Sequence, residues 1–479
     1  MSDPVGDAVN TINEKLDTSG WFNTTTNAET HDVVDTLTGL TADQADEVVD
    51  RLQQSGQLDR VAHEVMDGDW FGNGGLSGDE RRAFFADMAG KLDGGSLAAL
   101  SNAFAGADNG GFDPVTEIGQ AVATHATPQT RVDYIGAMKA QVDDATQSGY
   151  GLGYSSMQMQ DAEATAVGDV LGSLRGSYAE AGFNAIGDRL PDVLTSAMDG
   201  QMMTVASYGG ASNSMSWNAD SFEAIMGAAA SMNDPDLKAQ VFDAGVQTLR
   251  SVRDTNNVIG GLTVVGKDDA MRQMTDGLTA IIDSDTTGIM RELTYNQQTM
   301  DGSSFAAYAK EMLNQGREAE LGQQMGRLQV GNDATENPVD RLNEVEIVPG
   351  TDQERRANAG ALGYFVGGVY AATTARSNDV AEQRDTVTAI LKSALTVVDK
   401  VGSLGGPASR VVAGAAAVGK EWMQIAVKNA IEDEGAAAGI RLERAALPVD
   451  TRTGELGVGD NVASAFEDRL ASVTRTAQP

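Results

Sequence analysis

Leu76-Ser77-Gly78-Asp79-Glu80 places an apolar residue directly before a helix-capping serine, and this arrangement recurs along the N-terminal part of the chain. Related starts lie 36 residues earlier, at Leu40-Thr41-Ala42-Asp43-Gln44, and 36 residues later, at Phe112-Asp113-Pro114-Val115-Thr116. Repeats of this length are usually helical hairpins, which bury their apolar faces by stacking on neighbours. The spacing therefore predicts helical-hairpin repeats over 38–114, behind a polar N-terminal lead-in over 1–37.

Caps and apolar positions agree between the first two repeats. Thr41-x-x-Gln44 and Ser77-x-x-Glu80 both have the pattern of a capping box, in which two side chains satisfy free backbone N–H groups at the helix start. The second helix matches at 39 residues, from Leu58 to Leu97, which predicts a longer turn in the later copy. The apolar residues of the first helix match at 36: Val48, Val49 and Leu52 against Phe84, Phe85 and Met88.

A longer repeat covers 115–330 and predicts two related helical units. At a shift of 107 residues, Thr127-Pro128-Gln129 meets Asp234-Pro235-Asp236, and each is an N-cap followed by a first-turn proline. Several apolar residues agree at the same shift: Ile118 with Ile225, Ile135 with Phe242, Val167 with Met274, Leu171 with Leu278 and Leu174 with Ile281.

The rest of the chain divides into a linker and a helical domain. Polar residues around Pro338 and a closing Pro349-Gly350 predict a linker over 331–352. Beyond it, apolar residues spaced three or four apart predict a C-terminal helical domain over 353–479. Alternating runs such as 344–348 are short and isolated. We therefore predict an all-α protein of stacked helical hairpins with internal repeats, followed by a C-terminal helical bundle.

Composition narrows the range of partners. The formal net charge is −35, from 69 acidic and 34 basic residues, and such a chain repels nucleic-acid backbones and anionic membrane surfaces. The chain has no cysteine, so disulfides and zinc–thiolate sites are excluded. Its start, Met1-Ser2-Asp3-Pro4-Val5-Gly6-Asp7, is acidic and lacks an apolar core, which predicts no cleavable secretory signal.

Catalytic groups do not converge in the sequence. His31, His63 and His125 lie in separate segments and lack partners at ligand spacing, so we predict structural or surface roles for them. Carboxylate pairs such as Asp143-Asp144 and Glu432-Asp433-Glu434 suit acid–base chemistry, but among 69 acidic residues such pairs arise by chance. The catalytic residues therefore stay unknown.

One loop invites a calcium interpretation. Asp67 and Asp69 stand at the first two ligand positions of an EF-hand-like loop, and Asn73 follows them. The twelfth position is Gly78, where a bidentate glutamate is required. We predict an interhelical turn without a cofactor, and calcium bound by these three residues is the alternative. The glycine-rich run at 149–153 lacks a Lys-Ser/Thr pair and is interpreted as a loop.

A charge-free segment runs from 357 to 375 and contains Gly363-x-x-x-Gly367, a spacing that allows helices to pack closely. A second mildly apolar stretch covers 411–419. We interpret them as a buried helix pair, because their many alanine and glycine residues keep their hydrophobicity low. The alternative is a helical hairpin within 353–432 that inserts into a membrane.

Four stretches carry a resemblance to a known class of proteins: 76–85 (LSGDERRAFF), 91–97 (KLDGGSL), 161–171 (DAEATAVGDVL) and 361–367 (ALGYFVG). They resemble helical modules of large bacterial exported proteins of the polymorphic-toxin type, which include secretion-system effectors. In those proteins the modules package or deliver a separate C-terminal activity. No nuclease, protease or deaminase signature follows here. The resemblance implies a protein that is cytoplasmic before export and needs no cleavable signal peptide.

We expect a non-enzymatic helical cargo, adaptor or effector body that is associated with a bacterial export or injection system. Its partners would be proteins, either the secretion apparatus or an immunity-type protein, and not nucleic acid. One alternative is a membrane-active, pore-forming antibacterial toxin that uses 353–432. Another is a cell-wall hydrolase with an unrecognised carboxylate pair.

Overall fold

The computed structural model describes residues 3–16, 26–66, 75–107, 114–147, 154–198, 201–207, 210–255, 258–259, 262–295, 303–348, 350–403 and 458–476, together with 424, 427–428, 442 and 446–447. The chain forms two compact units, Met1–Asn233 and Asp234–Pro479. Within the described ranges, helices pack against helices and strands are few and short. The predicted all-α class is confirmed.

The first unit contains twelve helices in its described part. They are α1 (Pro4–Lys15), α2 (Asn27–Thr38), α3 (Ala42–Gln54), α4 (Leu58–Met66), α5 (Gly78–Lys91), α6 (Gly94–Ala105), α7 (Pro114–His125), α8 (Pro128–Gln147), α9 (Tyr154–Ser173), α10 (Ser177–Ile186), α11 (Leu190–Ser196) and α12 (Asp220–Ala230). A 3-10 turn, Gly187–Arg189, joins α10 to α11. An antiparallel hairpin of β1 (Gln201–Ser207) and β2 (Gly210–Ser216) precedes α12.

The second unit is helical as well, with two short antiparallel hairpins. Its elements are α13 (Pro235–Asp254), β3 (Val258–Ile259), β4 (Leu262–Val265), α14 (Lys267–Ser284), α15 (Thr286–Tyr295), α16 (Ser303–Asn314), α17 (Glu318–Val330), α18 (Pro338–Asn343), β5 (Glu346–Ile347), β6 (Glu354–Arg355), α19 (Ala357–Arg376), α20 (Val380–Ser403) and α21 (Asp460–Thr476).

The 36-residue spacing is present in the structure. The helices α3, α5 and α7 begin at residues 42, 78 and 114, as the sequence predicts. At α5, the backbone N–H of Ser77 donates to Glu80 Oε2 at 2.9 Å, and the backbone N–H of Glu80 donates to Ser77 Oγ at 3.4 Å, which closes a capping box. At α3, the backbone N–H of Thr41 donates to Gln44 Oε1 at 3.2 Å.

The predicted longer turn between α5 and α6 is wrong. The second helices, α4 and α6, begin at residues 58 and 94 and are also 36 residues apart. The reason is a cap at Asp93, whose Oδ1 accepts the backbone N–H of Ser96 at 2.8 Å. The glycine residues before Leu97 are therefore helical, and Gly94 lies so close to the α8 backbone at Tyr134 that a side chain there would collide with it.

Helices that are two apart in sequence stack on one another, and this builds two rows. One row runs through α5, α7 and α9, and the other runs through α4, α6, α8 and α10. The stack of hairpins thus continues beyond residue 114, as far as α10, although α7 and α9 begin at residues 114 and 154 and so break the 36-residue spacing. The helix α6 carries no charged residue and contacts α3, α4, α7 and α8, so it lies at the centre of the stack. Stacking of successive hairpins is also how α-helical repeat proteins bury their apolar faces.

The longer repeat is reflected in two helices of the same length. Both α8 and α13 have 20 residues and begin with a proline, at residues 128 and 235. Asp234 caps α13 by accepting the backbone N–H of Asp236 at 2.9 Å. The boundary between the compact units, at 233/234, falls directly before the second of these helices.

The charge-free segment forms α19, the central helix of the second unit. It contacts α15, α16, α17, α18, α20 and α21 and is buried along most of its length. A side chain at Gly363 would collide with the carbonyl oxygen of Phe466, so this glycine lets α19 and α21 approach closely. A second glycine pair, Gly322 and Gly326, does the same for α17 against α20. Close packing through Gly363 and Gly367 is confirmed, against α21. Pairing of α19 with the stretch 411–419 stays a prediction.

Across the part of the chain that the structure describes, no helix combines the length and apolarity of a membrane span. The second apolar stretch, 411–419, lies outside the described residues. Insertion of 353–432 into a membrane therefore stays an untested alternative.

The segment 331–352, predicted as a linker, carries the short helix α18 and the strand β5. Asn337 caps α18 by accepting the backbone N–H of Val339 at 2.8 Å. Arg341 anchors the helix, since its buried guanidinium donates to the Leu328 carbonyl at 3.1 Å and contacts Glu336 Oε2 at 2.6 Å. In the β5–β6 hairpin, Glu346 lies opposite Arg355. These polar contacts order a segment whose composition is that of a loop.

Candidate functional site

Two of the cavities that described residues line combine charged side chains with a partly apolar wall and lie in different units. We name them the Glu163 pocket and the Tyr295 pocket. The Glu163 pocket has a volume of about 360 Å³ and is built from α8, α9, α10, α11 and the 3-10 turn. Its lining residues are Met138, Lys139, Glu163, Ala164, Val167, Ile186, Arg189, Asp192, Val193, Thr195 and Ser196. An apolar wall with a few converging polar groups is typical of small-molecule sites.

The two cations of the Glu163 pocket are already paired with aspartates. Lys139 Nζ lies 2.6 Å from Asp143 Oδ2 and 3.2 Å from Asp188 Oδ1. Arg189 contacts Asp143 Oδ1 at 2.9 Å and Asp192 Oδ2 at 3.3 Å. The hydrogen bonds from Lys139 and Arg189 lower the pKa of Asp143. This network fixes the 3-10 turn against α8.

Glu163 behaves differently, because burial raises the pKa of its carboxyl to about 7. Within the described residues, no cation contributes to this pKa, so desolvation of the charged form acts alone. A carboxyl with such a pKa exchanges protons near neutrality, as a general acid or base must. Asp192, in the same pocket, supplies a second carboxylate.

The sequence contains a signal for Glu163, although the motif patterns considered above miss it. Glu163 stands four residues before Val167 and eight before Leu171, on the face that α9 buries. A glutamate in line with buried apolar residues is expected to be desolvated. Asp169 lies further along α9, and burial raises its pKa as well, but its carboxylate accepts a hydrogen bond from Ser221 Oγ at 3.2 Å.

The calcium candidates Asp67, Asp69 and Asn73 lie outside the described residues. Among those that are described, no three or more histidine, aspartate or glutamate side chains are grouped to hold a metal ion. Calcium at this loop therefore stays the untested alternative.

The histidines and carboxylate pairs do not meet at a site in the described ranges. His31, His63 and His125 belong to α2, α4 and α7, and His31 Nε2 lies 3.9 Å from Glu80 Oε1 at the surface. Asp143 forms the ion pairs described above. The run at 432–434 lies outside the described residues.

The Tyr295 pocket has a volume of about 430 Å³ and lies between the end of α15, the β5–β6 hairpin and α21. At its base, the guanidinium of Arg355 lies 4.4 Å from the Tyr295 ring centroid, and that of Arg469 lies 4.6 Å from it. A side chain at Gly360 would collide with the Tyr295 hydroxyl, so this glycine leaves room for the ring. Burial raises the pKa of Tyr295. The other lining residues are Val345, Glu354, Arg356, Asn461, Ser464, Ala465 and Asp468.

The arginines at this pocket differ in their hydrogen-bond and ion-pair partners. Arg355 donates to Glu346 through Nε at 2.9 Å and through Nη2, and Glu346 also contacts Arg291. Arg356 donates to the carbonyl of Asn343. Within the described ranges, neither Arg356 nor Arg469 has a carboxylate at ion-pair distance. No pattern in the sequence indicates this cluster, because its members come from four separate elements.

No protein-family model matches the chain, and no curated protein shows significant similarity to it.

Proposed function

We propose that this protein is a non-enzymatic helical cargo, adaptor or effector body, which works through protein–protein contacts in association with a bacterial export or injection system. The proposal rests on the two-row stack that includes α4 to α10. Stacks of this kind bind partners along the exposed faces of successive helices. The association with an export system comes from the resemblance of 76–85, 91–97, 161–171 and 361–367 to exported helical modules.

Polar groups inside the stack join helices to one another, which fits a structural body. Arg81 on α5 donates to both carboxylate oxygens of Glu117 on α7, at 2.7 and 2.9 Å. Ser101 on α6 and Tyr134 on α8 share a buried hydrogen bond of 3.0 Å. The hydrogen bonds of these groups therefore join neighbouring hairpins.

The chemistry of the partner follows from charge. Asp43 and Asp79 are exposed in the first turns of α3 and α5 and occupy the same position in their repeats. Together with a net charge of −35, such residues favour a partner with a basic face. Binding should therefore weaken as salt is added.

Site-specific photo-crosslinking in the producing cells tests this proposal. A photo-reactive amino acid at position 43 or 79 of the full chain should capture the same protein, identified by mass spectrometry as a component of an export apparatus or a dedicated partner. A matched control is position 269, an exposed aspartate of the second unit. Equal capture from all three positions, or none from 43 and 79, would contradict the proposal.

A second candidate function is acid–base hydrolysis, with the bacterial cell wall as substrate. It is favoured by the Glu163 pocket, in which a carboxyl with a pKa of about 7 shares a cavity with Asp192. Glu163 would donate a proton to the leaving group, and Asp192 would act as the second carboxylate.

The test is clearing of purified peptidoglycan by the full chain. If this function is right, Glu163→Gln and Asp192→Asn each abolish clearing, while Glu223→Gln, at an exposed glutamate of α12, leaves it unchanged. Clearing that survives Glu163→Gln rules out this pocket. Clearing that is lost with Glu163→Gln rules out the non-enzymatic proposal.

A further inference from the structure

We infer that the Tyr295 pocket binds an oxyanion, the phosphate or carboxylate group of a ligand. This inference is independent of the function proposed above, since it concerns a different unit and a different chemistry. It follows from three properties of the pocket: arginine N–H groups that remain available for hydrogen bonds, arginine side chains that are already ordered, and a local excess of positive charge.

Arg356 and Arg469 supply the N–H donors that can bind an anion. A guanidinium carries five N–H donors, and it binds phosphate and carboxylate groups through two parallel hydrogen bonds. Arg356 uses Nη1 for the carbonyl of Asn343, and the guanidinium of Arg469 lies over the Tyr295 ring. Within the described residues, neither guanidinium is neutralised by a carboxylate. Most of their N–H groups thus remain for an anion that enters the cavity.

Rigidity comes from the stack of Arg355, Tyr295 and Arg469. The two guanidinium groups lie over the same aromatic ring, at 4.4 and 4.6 Å from its centroid. Cation–π contacts of this kind orient a guanidinium and leave its edge available for hydrogen bonds. Glu346 fixes Arg355 from the other side. Because these side chains are already ordered, little conformational entropy remains to be lost on binding.

The cavity is positive in a strongly negative protein. Three arginines line it, against the exposed carboxylates of Glu354 and Asp468, so the lining has an excess of one positive charge. Glu346, which pairs with Arg355 from outside the lining, is shared with Arg291. The chain as a whole has 34 basic residues and 69 acidic ones, whereas in the lining of this cavity arginines outnumber carboxylates. The exposed carboxylates stay hydrated, whereas the half-buried guanidinium groups interact through a lower dielectric.

Size and neutral donors define the ligand further. On α21, Asn461 and Ser464 line the wall of the pocket and add neutral hydrogen-bonding groups. A volume of about 430 Å³ exceeds the space that a bare phosphate ion needs. The pocket therefore suits an oxyanion that is attached to a small polar group, carried by a free metabolite or by the side chain of a partner.

Isothermal titration calorimetry with the full chain tests the inference. Inorganic phosphate, citrate and O-phosphoserine are titrated in turn at constant ionic strength, with sodium chloride as the reference. We expect saturable binding of at least one of the three anions. Tighter binding of phosphate and O-phosphoserine than of citrate would assign a phosphate ligand, and the reverse order a carboxylate ligand. Absence of saturable binding for all three overturns the inference.

Variants decide whether the anion occupies this pocket. Arg469→Gln and Arg356→Gln should each weaken binding by about tenfold or more, since each removes a charge-assisted hydrogen bond. Arg272→Gln is the matched control, because it removes the same charge from an exposed ion pair with Asp269 on α14. Equal affinity in all three variants overturns the inference.

A purely structural role for Arg469 makes a different prediction. In that case Arg469→Gln lowers the melting temperature and anion binding is absent from the parent protein as well. Arg469→Lys provides a further check on the folded protein: it keeps the charge and loses the planar fork, so binding should be intermediate. Anion affinity that is the same in Arg469→Lys and Arg469→Gln as in the parent overturns the inference.

Discussion

At the scale of single residues, the pair of Arg81 and Glu117 shows how one repeat is joined to the next. The two residues are 36 positions apart, so they occupy the same place in successive hairpins. The Arg81 side chain is 5% exposed and that of Glu117 is 17% exposed, and their hydrogen bonds are bidentate. A buried pair of this kind fixes geometry, and it is costly to break because the remaining charge stays desolvated.

Arg81→Ala should therefore destabilise the protein by about 3 kcal/mol, measured as the free energy of unfolding in urea. The neighbouring Arg82→Ala is the control, because Arg82 is 60% exposed and pairs only with the exposed Asp79 among the described residues. Its effect should stay within about 0.5 kcal/mol. Equal losses for the two variants would show that the buried pair has no special role.

Glu163 makes stability depend on pH. Its pKa is about 7 in the folded protein, whereas an unfolded glutamate ionises near about 4.3. Between these values the folded state holds the proton more tightly, so the stabilising contribution is present at low pH and is lost as pH rises through about 7. Above that range, the ionised carboxylate is a net cost to the fold.

Glu163→Gln removes this cost. At about pH 8 the variant should be more stable than the parent by about 1–3 kcal/mol, since partial exposure of Glu163 to solvent reduces the energy expected from the pKa shift. At about pH 4 the two proteins should be equally stable. Urea unfolding of both proteins across this range measures the difference. Asp133→Asn, at an exposed aspartate of α8, should show no such trend. A difference that does not change with pH would disprove the desolvated state of Glu163.

At the scale of the helix, close packing through glycine holds the second unit together. Gly363→Ala should destabilise it by about 1–3 kcal/mol, because the added methyl group collides with the backbone of α21. Gly136→Ala is the control, since a methyl group at that position of α8 meets no atom within 4 Å beyond the nearby backbone of its own helix. It should be neutral or stabilising by up to about 1 kcal/mol. The measurement is the free energy of unfolding of the two variants in urea. An unchanged value for Gly363→Ala would mean that α19 and α21 can move apart without loss of stability.

Helices are predictable from this sequence because their signals are local. The boxes at Thr41 and Ser77 fix two helix starts, and the absence of charge from 357 to 375 marks a buried helix. The same signal is present in α6, which also lacks charge and lies at the centre of the stack. The predicted longer turn before Leu97 is wrong because Asp93 caps α6, so the two glycine residues that follow it are helical.

The two cavities could not be predicted in the same way. The Tyr295 pocket joins Tyr295, Arg355 and Arg469, and a sequence pattern does not reveal contacts between residues so far apart. Of the residues in these cavities, Glu163 alone has a local sequence signal that we identified, because it is an acidic residue at helical spacing from buried apolar residues.

At the scale of the whole molecule, the net charge of −35 sets the response to salt. Self-repulsion destabilises a compact chain and is screened by ions. Raising sodium chloride from about 10 mM to about 150 mM shortens the screening length from about 30 Å to about 8 Å. The melting temperature near neutral pH should rise by at least about 2 °C. Close to the isoelectric point of about 4.3, the same step should have little effect, and a fall in melting temperature at neutral pH would contradict the prediction.

The two-row stack also bears on how this chain can change in length. Because α5 contacts α3 and α7, and α6 contacts α4 and α8, the 36-residue hairpin of α5 and α6 has the same kinds of neighbour on either side. An in-frame duplication of 36 codons would insert one further hairpin and recreate both of its interfaces, whereas the gain of a few residues inside a helix would rotate every later contact. Homologous chains are therefore expected to differ by whole hairpins, with small insertions confined to the connections between them.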